Sequence, residues 1–174
     1  MFWLVISSKS LSMLSDKQIK FRDDFLSPFK QRLYYFKSLP MALFSGVRLT
    51  HLDEEKSVSE VPFRWSNKNP FNSMYFAVQS MAAELSTAAP VLMALKGLET
   101  NVALIIVELQ AEYVKKAQST ITFSCLDYDT IYSAVRQLKQ PDDTAAVTVK
   151  TVGRDVNNNE VATFYFTWSF KLRP

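Results

Sequence analysis

The apolar positions of this chain change period several times, and each change marks an element. From Ser15 to Leu39, the residues Ile19, Phe25, Leu26, Phe29, Leu33 and Phe36 recur at helical intervals. Ser15 with Gln18 forms a capping-box pattern, which satisfies two orphan amides at a helix start. Pro28 is tolerated in a first turn but not in an interior, so two short helices are predicted, about 15–26 and 28–38. Pro40 is expected to end this segment. From Leu43 the period becomes two, and Leu43–Leu52 and Lys56–Trp65 read as strands joined by the acidic turn Asp53-Glu54-Glu55. Pro62 marks an edge or a strand end.

The clearest helical pattern starts at Phe71, with Met74, Tyr75, Val78, Met81, Ala82 and Leu85 on its apolar stripe. Pro90 is predicted to interrupt it, leaving a short turn over 91–95 before Gly97. Four strands are expected after that. Val102–Val114 sets Ala103, Ile105, Val107, Leu109, Ala111 and Tyr113 on one side, against Glu108, Gln110 and Glu112 on the other. Ser119, Ile121, Phe123 and Cys125 mark the next strand, and 127–138 reads as an inserted helix. Ala145, Val147, Val149 and Thr151 lead to a hairpin tip at Asp155–Asn159. In the last strand Ala162, Phe164, Phe166, Trp168, Phe170 and Leu172 alternate with polar residues. The class is therefore α+β: an antiparallel sheet around one long helix, with extra N-terminal helices.

Composition excludes more than it assigns. With 174 residues, 48% of them hydrophobic, the chain can bury one good core. Its net charge of +3 is too small and scattered to argue for nucleic-acid binding. Three glycines cannot build a GxGxxG turn or a P-loop. One histidine, His51, and one cysteine, Cys125, rule out multi-His zinc sites, Cys-based metal sites and internal disulfides. No metal and no cofactor are expected. Met1–Ile6 is apolar but lacks the layout of a signal peptide, and no run of about 18 apolar residues suggests a membrane span. A cytoplasmic location is the expectation.

The element order, together with Asn69-Pro-Phe-Asn-Ser-Met-Tyr-Phe-Ala-Val-Gln-Ser-Met-Ala-Ala-Glu84, resembles the hot-dog fold of acyl-CoA thioesterases and dehydratases. Glu108–Ala117, with Tyr113-Val-Lys-Lys-Ala117, is similar to that family's third strand and following turn. The resemblance covers roughly 44–172 and is strongest to a poorly characterised, thioesterase-like branch. It implies an N-terminal helical extension over 1–42 and a hot-dog domain over 43–174. The family's central helix commonly opens on a His-Gly-Gly turn, with an acid seven positions beyond its second glycine. Here that turn is Tyr75-Phe76-Ala77 and the acid is Glu84, so glycine and histidine are both replaced.

The resemblance implies hydrolysis of acyl-CoA or acyl-carrier-protein thioesters. The Phe76 and Ala77 amides would donate to the oxyanion, and Glu84 would act as base or nucleophile. It also implies a homodimer or a dimer of dimers, with no nucleic-acid or membrane partner. Helical spacing sets Ala77, Ser80 and Glu84 on one face, away from the Val78, Met81, Leu85 stripe. Ser73 and Ser80 are candidates for orienting water or substrate. Lys115 and Lys116 are candidates for coenzyme A phosphates, beside the plainer reading of solvated strand-end lysines; Arg64 and Lys68 share that ambiguity. Asn72 reads first as a cap or turn residue and second as a substrate contact. His51 has no spacing partner for a nucleophile, and Cys125 reads as a packed strand residue. Dehydratase chemistry would want a histidine on the helix, which is missing. The alternative is a non-catalytic hot-dog protein that binds an acyl or other apolar ligand, or an assembly module.

Overall fold

The computed structural model describes residues 14–174, so Met1–Ile6 lies outside the described residues. The described residues begin with two helices, α1 (Asp16–Leu26) and α2 (Pro28–Ser38), with Pro28 at a helix start. Ser15 caps α1, and the reciprocal capping box with Gln18 is complete. The Gln18 side chain also donates to the Met93 carbonyl at 3.1 Å, tying α1 to the far end of the central helix. Ser15→Ala is expected to cost about 1 kcal/mol of stability, read by urea unfolding.

Pro40 does not end the helical segment. It opens a third helix, α3 (Pro40–Ser45), because proline suits a first turn as well as it suits a stop. Gly46, at φ +73°, closes α3 in the left-handed conformation. The first strand, β1 (Arg48–Leu52), therefore begins five residues later than its alternation suggests. β2 (Ser57–Val61) ends just before Pro62, at the position where a missing amide costs no ladder bond. A single 3-10 turn, Trp65–Asn67, leads toward the central helix.

That helix, α4 (Phe76–Leu95), runs through Pro90 without a break. Pro90 withholds one intrahelical bond, but residues 85–91 are buried on every side, and the surrounding sheet holds the backbone in place. By length and composition α4 could cross a bilayer; instead most of it is buried inside the protein, as expected of a core helix. The remaining elements are β3 (Val102–Tyr113), β4 (Ile121–Cys125), α5 (Tyr128–Val135), β5 (Thr144–Arg154) and β6 (Glu160–Leu172). The six strands form one antiparallel sheet in the order β1-β2-β4-β5-β6-β3, curled around α4. Its inner face carries Phe164, Phe166, Trp168 and Phe170, the β6 alternation read from sequence, all almost fully buried.

β3 departs from its predicted alternation. A bulge between Ile106 and Glu108 inserts one extra residue against β6 and switches the side on which residues fall. Leu104 and Ile106 pair with Phe170 and Trp168, while Leu109 and Ala111 pair with Phe166 and Phe164. Ala103 and Ile105 thus face away from the side that Leu109, Ala111 and Tyr113 share. Among the described residues β3 bonds to β6 alone, at the edge of the sheet, and leaves Ile105, Val107 and Leu109 about half exposed.

Candidate functional site

The approach to α4 is built from asparagines. Asn67 is fully buried and donates through Nδ2 to the Ser45 and Pro62 carbonyls, at 2.8 and 2.7 Å. Its own carbonyl accepts the Tyr75 amide at 2.8 Å. One residue thus joins the end of α3 and the end of β2 through its side chain and the residue that caps α4 through its backbone. Asn69 Oδ1 gathers the Phe71 and Ser73 amides and the Ser73 hydroxyl. Asn72 takes φ 54° in the same turn, and its carbonyl accepts from Gln118. Asparagine tolerates that left-handed conformation better than most residues, so the turn reading of Asn72 holds and its side chain lies outside the hollow described next. Asn67→Ala is expected to cost about 2 kcal/mol, by leaving two buried carbonyls unpaired, with the loss visible in urea unfolding.

No side chain caps α4. The Val78 and Gln79 amides turn back to the Tyr75 carbonyl. Among the described residues, the Phe76 and Ala77 amides find no acceptor. These are the two donors that the sequence correspondence picks out, and the helix dipole adds to their positive field. Beside them lies a hollow of about 380 Å³, lined by Ser73, Phe76, Gln79, Tyr113, Lys115 and Lys116 among others. Four of the predicted site residues therefore meet there. Lys115 is held by Asp155 at 3.0 Å, whereas Lys116 has no ion pair among the described residues. At the mouth, the exposed Tyr75 and Phe76 rings meet edge to face, 4.8 Å between centroids. Burial pushes the Tyr113 phenol above its ordinary value, partly offset by the Ser80 hydroxyl beside it.

Glu84 does not share that hollow. Ala77, Ser80 and Glu84 do share one face of α4, as the spacing predicts, each half-buried, while Val78, Gln79, Ala82, Ala83 and Leu85 around them are covered. Two turns separate Ala77 from Glu84, about 10 Å along the axis. The Glu84 side chain lines a second hollow of about 240 Å³, walled by Leu39, Pro40, Met41, Ala42 and Val47. Met81, expected on the sheet-facing stripe, lines this hollow too; at 100° per residue it falls between the two faces, and α3 supplies its cover. The Glu84 carboxylate has no hydrogen bond or ion pair among the described residues. Desolvation by these apolar walls raises its pKa.

Two other sequence candidates resolve as structural residues. His51 on β1 pairs with Asp53 at 2.6 Å. Cys125 is buried in β4, with its thiol pushed up to about 12 by burial. One site residue escaped the sequence reading. Gln79 is 4% exposed, lines the hollow at the head of α4, and keeps its Oε1 unpartnered. Its signal was a polar residue between Val78 and Ala82 on a stripe that is otherwise small and apolar.

Neither protein-family models nor curated protein sequences match this chain. Solved structures do. A Shewanella oneidensis protein described provisionally as a thioesterase superposes with a TM-score of 0.70 at 14% identity, over 87% of this chain and 99% of the other. A Pseudomonas aeruginosa protein of unknown function, with a similar provisional description, gives 0.65 at 18% identity, over 86% and 99%. A Haemophilus influenzae thioesterase gives 0.59 at 14% identity, over 80% and 88%. At these identities the likeness establishes the fold, and the fold is the hot-dog fold.

Proposed function

We propose that this protein hydrolyses acyl thioesters carried by coenzyme A or acyl carrier protein. The observation that carries the reading is the open face of α4, with two amides at its start and one desolvated carboxylate two turns on, all unpaired among the described residues. The Phe76 and Ala77 amides would polarise the thioester carbonyl and stabilise the oxyanion that forms on attack. Glu84 would take a proton from water, or attack the carbonyl itself. Seven residues of one helix, about 10 Å, separate these amides from Glu84, so the carboxylate acting on a carbonyl held by the amides would have to come from a second copy of the chain. Ser80 lies between them, Lys116, with no ion pair among the described residues, offers a cation for a carrier phosphate, and Asn72 supports the turn.

A homodimer suits the same geometry. The open β3 edge exposes Ile105, Val107 and Leu109, and a second copy would cover this edge together with the open face of α4. One observation favours the non-catalytic alternative: the Tyr75–Phe76 pair narrows the approach that glycines would leave free.

The test is release of free thiol from acyl-CoA substrates of graded chain length, using wild type and Glu84→Gln. Turnover by wild type with a large loss in the variant is the expected result. Absence of turnover at every chain length, with acyl ligands still bound, would replace this reading by the binding one.

A further inference from the structure

A third concavity lies on the other side of the helical extension. It is a groove of about 870 Å³ between α2 and β1, more than twice either hollow on α4 and within the usual size range for small-molecule sites. Leu26, Leu43, Val47 and Leu49 give it apolar walls, and Arg32, Arg48 and Arg64 also line it. The charge there is unbalanced. Arg48 is paired with Glu60 at 2.8 Å, but Arg32 has no ion pair among the described residues. Arg64 spends its donors on neutral oxygens, the Phe44 carbonyl and Ser66 Oγ, and its guanidinium lies flat over Gly46. The sequence reinforces this bias: from Phe25 to Leu52 there are four Lys or Arg residues and no Asp or Glu. Apolar walls with two guanidiniums that pair with no carboxylate among the described residues suit a ligand with an apolar body and one anionic head. Val47 separates this groove from the Glu84 hollow, whose carboxylate disfavours a second anion on its own side.

We propose that the groove binds a single-chain amphiphile with a carboxylate or phosphate head. The head sits on Arg32 and Arg64, and the chain lies along Leu26, Leu43, Val47 and Leu49. This site is separate from the thioester site and does not depend on it.

Calorimetric titration of the full chain with decanoate, decyl phosphate, decanol and inorganic phosphate tests the assignment. At least one of the two charged amphiphiles should bind, with decanol and inorganic phosphate each about tenfold weaker or worse. The tighter of the two amphiphiles identifies the head, carboxylate or phosphate. Arg32→Ala and Arg64→Ala should each weaken binding about fivefold or more, and Arg32→Lys should keep most of it. Arg32 is exposed on α2, so its truncation should leave the unfolding midpoint unchanged. Glu84→Gln should bind as wild type does. The proposal is overturned by no binding of either charged amphiphile, by full binding in the Arg32→Ala/Arg64→Ala double variant, or by inorganic phosphate binding as tightly as decyl phosphate. Tighter binding in Glu84→Gln would also overturn it, by placing the anionic ligand in the Glu84 hollow.

Discussion

Gly153→Val is expected to lower stability by about 3 kcal/mol, a large share of what a typical domain has. Gly153 lies near the end of β5, opposite Phe123 of β4. A Cβ at this position would stand 2.5 Å from Phe123 Cε1 and 2.7 Å from Cζ. Phe123 has no room to retreat. It is fully buried and meets Phe164 edge to face at 5.6 Å. Phe164 in turn touches Tyr113 and Phe166, so a push on Phe123 is transmitted along the inner face of the sheet. A β-branched residue adds two more carbons to the same clash. Gly153→Ala, with a single methyl, should cost less than valine and more than a surface change. Urea unfolding of the two variants against wild type checks both the size and the order of the effects. Equal stability of all three would mean that the ring has space the packing does not provide.

The backbone requirement at Gly153 was invisible in the sequence, because it is set by a phenylalanine about thirty residues away. Other features were legible because they are local. The α1 capping box lies within four residues, and the β6 alternation needs only its own thirteen positions. Failures came where one residue type serves two purposes. Pro40 reads as a stop and acts as a start, while Pro90 reads as a break and is overridden by burial. The β3 bulge defeated its alternation for another reason. A one-residue insertion changes parity without changing composition, and only the pairing with β6 reveals it.

The site divided in a similar way. Counting along one helix placed Ala77, Ser80 and Glu84 on a shared face, which periodicity can do. It could not show that α3 would roof Glu84 while leaving the helix start open, since that depends on how the N-terminal helices pack. Nor could it single out Asn67, whose three partners come from separate elements. The buried, half-satisfied Gln79 is a related case: a polar residue on an apolar stripe is a visible oddity, but its meaning comes from the hollow next to it.

Glu84→Gln should cut thioester hydrolysis about hundredfold or more at neutral pH, the usual contribution of a positioned base. The wild-type rate should rise with pH as Glu84 ionises, through a value above that of an ordinary glutamate, because apolar walls penalise the charged form. The residual rate of the variant should lack that rise. Stability should move the opposite way. A carboxyl whose folded pKa is raised favours folding while it is neutral, so its contribution is fully present below the unfolded value. It is lost as pH climbs through the folded value. Glutamine keeps the shape without the charge, so the variant should match wild type in Tm under acid conditions and exceed it at neutral pH. A Tm difference that ignores pH would mean that the Glu84 carboxylate is solvated and α3 does not roof it. An unchanged hydrolysis rate would remove Glu84 from the chemistry and leave its desolvation as a purely structural cost. Only the two results together, slower and more stable at neutral pH, fit a carboxylate kept in an apolar hollow for its reactivity.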